Sequence, residues 1–535
     1  MSGLTGTGAL LRFALRRDRV RIAVWIGSLA SLYLYCVFAL AQVFGDTESQ
    51  QARAALMRSP ASVLMTGPGY GLDHYTLGPI MANELLLWFI LAAGLMSAFQ
   101  IVRHTRAEEE SGRSELLRAG VVGRHAPAVA AALTVLIANA ILAVTSFAAL
   151  VSGGLPVADS LAYVLAVALG ALVFGAVALV LAQASEHART ASGVTVAVLM
   201  AALFIRGVGD MEQVGGSALS WFSPIAWSQQ TRVYVDLRWW PLALPVVFIA
   251  LLLALAALLA SRRDYAAGLI NPKPGRIDAR ASLRSPSALA WRQQRTTTIW
   301  WAVGFAVMFV AVGTYIDSID SVMSDVIANT PVVADVFNPD DLTGAFVRIM
   351  LLFGAVAAAA FGISAIGRAR AEEVAGRTEL LLATPISRAR WLGAQLAVPT
   401  LAAAGLMLLA GLTFFAGSLT VGVTNPGLVE YVAASVAYLP AIAVIVALAA
   451  ALYALLPRLL PTAWVFIALG LVEGMFGDAL NLPAALRWLS PLHWVPNPIA
   501  TDGGSWLPLL PLTALALALF AAAFVGFHRR DVPTS

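Results

Sequence analysis

Long apolar stretches broken by short charged ones set the pattern of this 535-residue chain. A membrane-spanning helix requires about 20 apolar residues. Such runs occur at 22–44, 79–103, 126–152, 158–184, 191–209, 241–261, 298–316, 344–367, 391–417, 430–456, 462–478 and 505–527. The pattern predicts an all-α polytopic membrane protein with twelve spans. Two further stretches mix leucine or tryptophan with arginine: residues 7–19 (T-G-A-L-L-R-F-A-L-R-R-D-R) and 287–295 (S-A-L-A-W-R-Q-Q-R). Both read as amphipathic helices lying in the membrane interface. Aligned with each other, the two regions place Arg16, Arg19 and the Trp25 beyond them on Arg292, Arg295 and Trp301.

The polar stretches repeat. Residues 106–117 (R-A-E-E-E-S-G-R-S-E-L-L) recur at 370–381 (R-A-E-E-V-A-G-R-T-E-L-L), 264 residues on and without a gap. Extended to Arg124 and Arg388, 11 of 19 aligned positions are identical. A charged segment between two spans must face water, so each copy is a candidate docking surface. Glu109→Arg113 and Glu373→Arg377 are acid-before-base pairs at i,i+4, which predicts a short helix along the membrane surface. Gly112 and Gly376 mark a bend, and Leu116, Leu117, Leu380 and Leu381 supply apolar knobs. Arg106, Glu108, Glu115, Arg370, Glu372 and Glu379 complete the candidate docking set.

A second signature, W-F-S-P-I-A-W at 221–227, recurs as W-L-S-P-L-H-W at 488–494, offset by 267. Tryptophan belongs at the membrane–water boundary and Ser-Pro starts a turn, so each copy reads as a re-entrant external element. Arg262-Arg263-Asp264 returns at the same offset as Arg529-Arg530-Asp531. A proline-containing polar linker at 269–286 separates two six-span halves, 1–268 and 287–535. Six is even, so the halves form a parallel repeat.

Composition agrees: 59% of residues are hydrophobic, mean hydropathy is +0.80 and only 12% are charged, against about 25% in soluble chains. The net charge of +4 is sorted by side rather than gathered for nucleic acid. Segments on the side of the N-terminus hold 27 of the 34 Lys+Arg and 12 of the 30 Asp+Glu. This positive-inside bias places both termini in the cytoplasm of a cell-membrane protein, with the first span as an uncleaved anchor. Cys36 is the single cysteine, so no intramolecular disulfide is possible. The one lysine, Lys273, sits between Pro272 and Pro274, so no phosphate-binding G-x-x-x-x-G-K-[ST] loop exists. With no catalytic or metal-binding motif either, the chain is expected not to be an enzyme. The glycines at 67–71 read as a turn, the acidic loop at 317–342 as a solvated cap, and His493 has no companion at metal-ligand spacing.

The docking stretch resembles the first cytoplasmic loop of ABC-2-type exporter permeases, E-x-x-x-G-[RT]-x-E-L-L-x-[AT]-x-P-[IV]-S-R. The second copy continues the match through Thr384-Pro385-Ile386-Ser387-Arg388; the first has Gly120-Val121-Val122-Gly123-Arg124 and no proline. Ser223 to Trp227, Arg238-Trp239-Trp240-Pro241 and Arg262-Arg263-Asp264 resemble double-length actinobacterial permeases grouped as polyketide-antibiotic exporters. The resemblance implies the ABC-2 exporter fold, with coupling helices seated in two copies of a separate ATPase subunit that binds ATP and Mg2+. It implies a hydrophobic or amphipathic small-molecule cargo such as an antibiotic. Export of lipid or glycolipid by the same architecture, or ion-coupled secondary transport, are the alternatives. A membrane-embedded enzyme finds no catalytic constellation.

The offsets also pair opposite charges: Glu84 falls on Arg348, and Arg206 on Glu473. In the resembling family the second and fifth spans of each half line the pathway. These four residues are therefore a candidate ionic latch near the external mouth, with Asn83, Trp88, Phe204 and Leu352 as candidate pathway residues.

Overall fold

A computed structural model describes residues 3–58, 60–112, 120, 122–213, 215–263, 268, 277–278, 283–318, 342–476, 483–496, 499 and 505–531. Arg113, Glu115, Leu116 and Leu117 lie outside them, as does most of the acidic 317–342 loop. Helix is the only regular structure among the described residues, as expected where a hydrocarbon solvent leaves backbone polar groups no other partner. Among the described residues, eleven helices are long and apolar enough to cross a membrane. They are Arg19–Val43, Leu77–Glu110, Ala126–Ser152, Val157–Ala184, Ala188–Glu212 and Trp240–Arg262, then Pro286–Gly313, Thr343–Val374, Arg388–Thr420, Leu428–Leu455 and Leu509–Arg529. The chain is a multi-pass membrane protein. The run at 462–478 forms a described helix of 14 residues, Ala463–Phe476. The described part is about 21 Å long at 1.5 Å per residue, and residues 477–482 that follow it lie outside the described residues.

The chain divides into two compact units, Met1–Gly275 and Arg276–Ser535. In the first, the second and fourth spans form the centre, burying Leu87, Ile90, Ala93, Val167, Ala171 and Phe174. Gly170 permits their close approach: a Cβ there would stand 3.0 Å from Ile90 Cγ2. Small residues at contacts are how helices associate where lipid removes the hydrophobic drive. The second span contains a wide π turn, Met81–Leu85, between Leu77–Ile80 and Leu86–His104. Within it Asn83 is buried, donating to the Tyr70 carbonyl (2.7 Å) and accepting from its N–H (3.1 Å).

Opposite the docking stretch, the first unit carries a helical cap. Thr47–Met57 and Pro60–Thr66 form helices where the sequence reading had only a loop and turn. The Ser-Pro element folds as the short helix Pro224–Gln229, and Ser223 ties it to the fifth span by donating to the Ala202 carbonyl (2.7 Å). Its flanking tryptophans close on each other: Trp227 Nε1 donates to the Trp221 carbonyl at 2.7 Å, and Trp494 Nε1 to that of Trp488 at 3.2 Å. This bond explains the duplicated six-residue tryptophan spacing.

The two amphipathic stretches differ. Thr7–Arg17 is a separate helix, broken from the first span at Asp18. Arg103 donates two hydrogen bonds to Asp18 (2.8 and 3.0 Å), and His104 Nε2 lies 3.0 Å away. Burial works against the Asp18 charge, but the Arg103 hydrogen bond and the neighbouring His104, Arg103 and Arg21 charges outweigh it and hold the carboxyl below its ordinary range. In the second unit Pro286–Gly313 runs through the matching stretch as one helix. The expected separate interfacial helix at 287–295 is therefore the first turns of the seventh span. The alignment places neutral Gln294 where Asp18 stands, so nothing acidic anchors a break. That span meets the ninth backbone to backbone at Gly313 and Gly417, where any Cβ would strike the Phe414 or Val310 carbonyl. The alanine-rich tenth span, with Ala441, Ala447, Ala450 and Ala454 buried, runs through the core.

Candidate functional site: the duplicated docking loops

In the second unit the R-A-E-E turn continues the eighth span to Val374. Gly376 then takes a left-handed conformation (φ 72°) and the short helix Arg377–Leu382 follows. The bend changes the expected pairing. Arg377 reaches Glu372, with both bonds at 2.6 Å, rather than Glu373, because the helical register ends at Gly376. Glu373 instead turns into the unit. Arg530 at the end of the last span donates to both its oxygens (2.7 and 2.6 Å), and the Tyr453 hydroxyl donates to it at 2.7 Å. At the far end of the same loop Arg388 donates to the carbonyls of Arg530 (2.7 Å) and His528 (3.2 Å). These carbonyls close the last span, where a helix leaves acceptors unsatisfied and carries partial negative charge.

The first unit builds the same clamp. Arg263 at the end of the sixth span donates to Glu109 at 2.8 and 2.5 Å, and its Nε donates to Gln183 at 2.8 Å. Arg124 donates to the carbonyls of Ala260 (2.7 Å), Ser261 and Arg263 (both 3.2 Å). Arg106, 2% exposed, donates to Glu109 (2.8 Å) and to the Glu186 carbonyl (2.7 Å). Glu108 pairs with Arg17 of the amphipathic helix, and Gly112 repeats the left-handed bend at φ 72°.

The docking stretch thus has two faces. Arg106, Glu109 and Glu373 face inward. In the second copy Val374, Arg377 and Leu380 face solvent, Leu380 being 72% exposed. Arg370, Glu379 and Leu381 are half-buried, with Leu381 packed on the core.

At the cap end, the four repeat-related charges have these neighbours. Arg53 holds Glu84 through two bonds (3.0 and 2.7 Å), and the Tyr75 hydroxyl donates at 3.3 Å. Arg206 is fully buried (0% exposed), pairing with Asp210 at 3.2 Å and donating to the Leu64 carbonyl. Asp210 in turn accepts from Ser220 at 2.6 Å. Glu473 lies 2.7 Å from His493 Nδ1. The Arg348 carbonyl accepts from the Tyr438 hydroxyl at 3.1 Å. Among the described residues, the partners named here for Glu84, Arg206 and Glu473 each belong to the same unit as the residue they hold. Trp88 and Phe204 are exposed, and Leu352 is buried against Gly474. Among the described residues no group of three or more His, Cys, Asp or Glu is placed to hold a metal.

A sequence profile of the family described as multidrug efflux system permease Rv1217c, C-terminal domain, matches residues 283–528. The multidrug efflux system permease protein Rv1217c of Mycobacterium tuberculosis is 35% identical over 537 aligned residues, covering 99% of this chain and 96% of that protein. The chain belongs to the multidrug efflux system permease family. For this permease, Arg263 and Arg530 are the main clamp residues that the sequence reading left without a role. Their signal was present in the repeated Arg-Arg-Asp, whose shared offset marks Arg263 and Arg530 as a pair. Chemically, a bidentate carboxylate–guanidinium bond is short, directional and about twice as strong as a neutral hydrogen bond. It therefore fixes the loop after the second span of each unit to the end of that unit's last span.

Proposed function

We propose that the permease is the membrane subunit of an ATP-driven exporter of hydrophobic or amphipathic compounds. Both termini and both docking loops face the cytoplasm, and two copies of a separate ATPase, which bind ATP and Mg2+, seat on the loops. The duplicated clamp carries this reading. A loop that served only to connect two spans needs no ion pair to a third. One that receives force from a partner must pass it on, and the clamps lead from each loop to a last span. Val374, Arg377 and Leu380 form the outward contact of the second copy, while Glu373 and Arg530 transmit inward. Closure of the ATPases is thereby converted to alternating access of the spans. The Ala, Leu, Val and Phe faces of those spans suit apolar cargo, and apolar pockets separate similar shapes by only about 1–3 kcal/mol per methylene, which favours broad drug specificity.

Co-purification tests the pairing. Leu380→Asp leaves the core untouched because the side chain is exposed. Loss of an apolar anchor at a protein interface costs about 1–2 kcal/mol, so recovery of the partner ATPase is expected to drop about tenfold, with drug-stimulated hydrolysis in lipid falling in step. Full recovery with unchanged stimulated hydrolysis would remove the docking assignment. A deletion strain is expected to become more susceptible to lipophilic antibiotics and dyes. Unchanged susceptibility with altered lipid composition would move the cargo to lipid.

A further inference from the structure

The two units differ in one place beside the clamp. In the first, the more polar of two adjoining cavities, about 290 Å³ and with both charged and apolar side chains on its wall, opens between the amphipathic helix and the ends of the second, third and sixth spans. A second cavity of about 400 Å³ lies deeper, between the third, fourth and sixth spans, and its wall includes Leu133, Leu136, Leu172 and Leu253. The two share His125, Ala128, Gln183 and Ala260, so they adjoin. Both volumes are near the range of small-molecule sites. In the second unit the same region holds a plug. The 264 offset places Trp391 where the first unit has Pro127, and the 267 offset places Phe527 and Phe524 where it has Ala260 and Ala257. Trp391 and Phe527 are buried and stacked, with centroids 5.3 Å apart, and Phe524 lies over Gly393. The first unit's cleft therefore exists because small residues stand where its counterpart has three aromatic rings.

The chemistry of the wall selects an occupant. On the wall of the polar cavity Arg17 is paired with Glu108 and Arg263 with Glu109, while Arg124 donates to the backbone carbonyls that end the sixth span, so the lining carries one more positive than negative charge at the level where headgroups sit. The deeper cavity is apolar, and Leu136 and Leu253 on its wall are exposed at the outside of the spans, so a chain can enter from the surrounding bilayer. We propose that the first unit binds one anionic phospholipid, its headgroup in the polar cavity and one acyl chain in the apolar one, where it braces the sixth span as the aromatic plug braces the last. Basic pockets between spans recognise anionic headgroups in this way. The site does not depend on the ATPase pairing proposed above.

Native mass spectrometry of the full chain in detergent tests this, with phosphatidylglycerol and phosphatidylcholine of identical acyl chains as probes. Delipidated wild-type protein is expected to take up one phosphatidylglycerol and to bind phosphatidylcholine more weakly. Ala260→Phe, which copies the second unit, is expected to lose the adduct while unfolding at the wild-type temperature. Should that variant fail to fold, Ala257→Phe closes the same cleft from its apolar end. Wild-type uptake of phosphatidylglycerol by a folded plugged variant overturns the site. Equal binding of both lipids overturns the headgroup assignment, and occupancy by a lipophilic dye that phosphatidylglycerol cannot displace makes the cleft a cargo site instead.

Discussion

Glu373→Gln is expected to leave the ATPase bound yet abolish most drug-stimulated hydrolysis and export. Glutamine keeps the size of the side chain but cannot accept two charge-assisted bonds from Arg530, whose guanidinium also lies over the Tyr453 and Phe527 rings at 5.4 and 5.5 Å. Removing one partner of a buried ion pair costs about 3–5 kcal/mol, and here the cost falls on the joint between loop and last span. The outward residues Val374, Arg377 and Leu380 are untouched, so binding and coupling separate. Glu109→Gln should be milder, because Arg263 retains Gln183 and lies beside the loop anchored by Arg106 to the Glu186 carbonyl. The reversed pair Glu373→Arg with Arg530→Glu should recover part of the lost coupling. Full export by Glu373→Gln in proteoliposomes would mean that the clamp transmits nothing.

Spans were legible because a bilayer enforces long apolar runs, and the docking loops because duplication preserved them. The clamp was not, since Glu109 lies 154 residues from Arg263 and Glu373 lies 157 from Arg530; such separations leave no local period to read. Only the common offset of two Arg-Arg-Asp copies hinted at it. The i,i+4 reading of Glu373 and Arg377 failed for a local reason: helix spacing was carried across a glycine that adopts a left-handed backbone. The interfacial helices were read as equivalent because their arginines align, while the decisive difference, Asp18 against Gln294, is one residue whose partners Arg103 and His104 sit in another span.

The charges at the cap end allow two wirings, and one set of exchanges separates them. The repeat pairs Glu84 with Arg348. The structure gives Glu84 to Arg53 on the helix Thr47–Met57, so the ion pair ties the cap to the π turn of the second span. Such turns inside helices recur at functional sites, and here the turn carries the carboxylate. Glu84→Arg sets two cations together beside the Tyr75 hydroxyl and is expected to cost about 3 kcal/mol, the lower end for breaking a buried pair, with export reduced at least about tenfold. If the cap is the partner, adding Arg53→Glu restores the pair in reverse and recovers both the unfolding temperature and export, while adding Arg348→Glu recovers neither. Rescue by Arg348→Glu alone would instead establish the latch between the repeats. The Arg53 wiring carries a mechanical consequence that the latch lacks. A cap fixed to the second span must move with it, and the same span leads at its other end into the loop held by Glu109 and Arg263, so displacement of that loop reaches the cap along one helix.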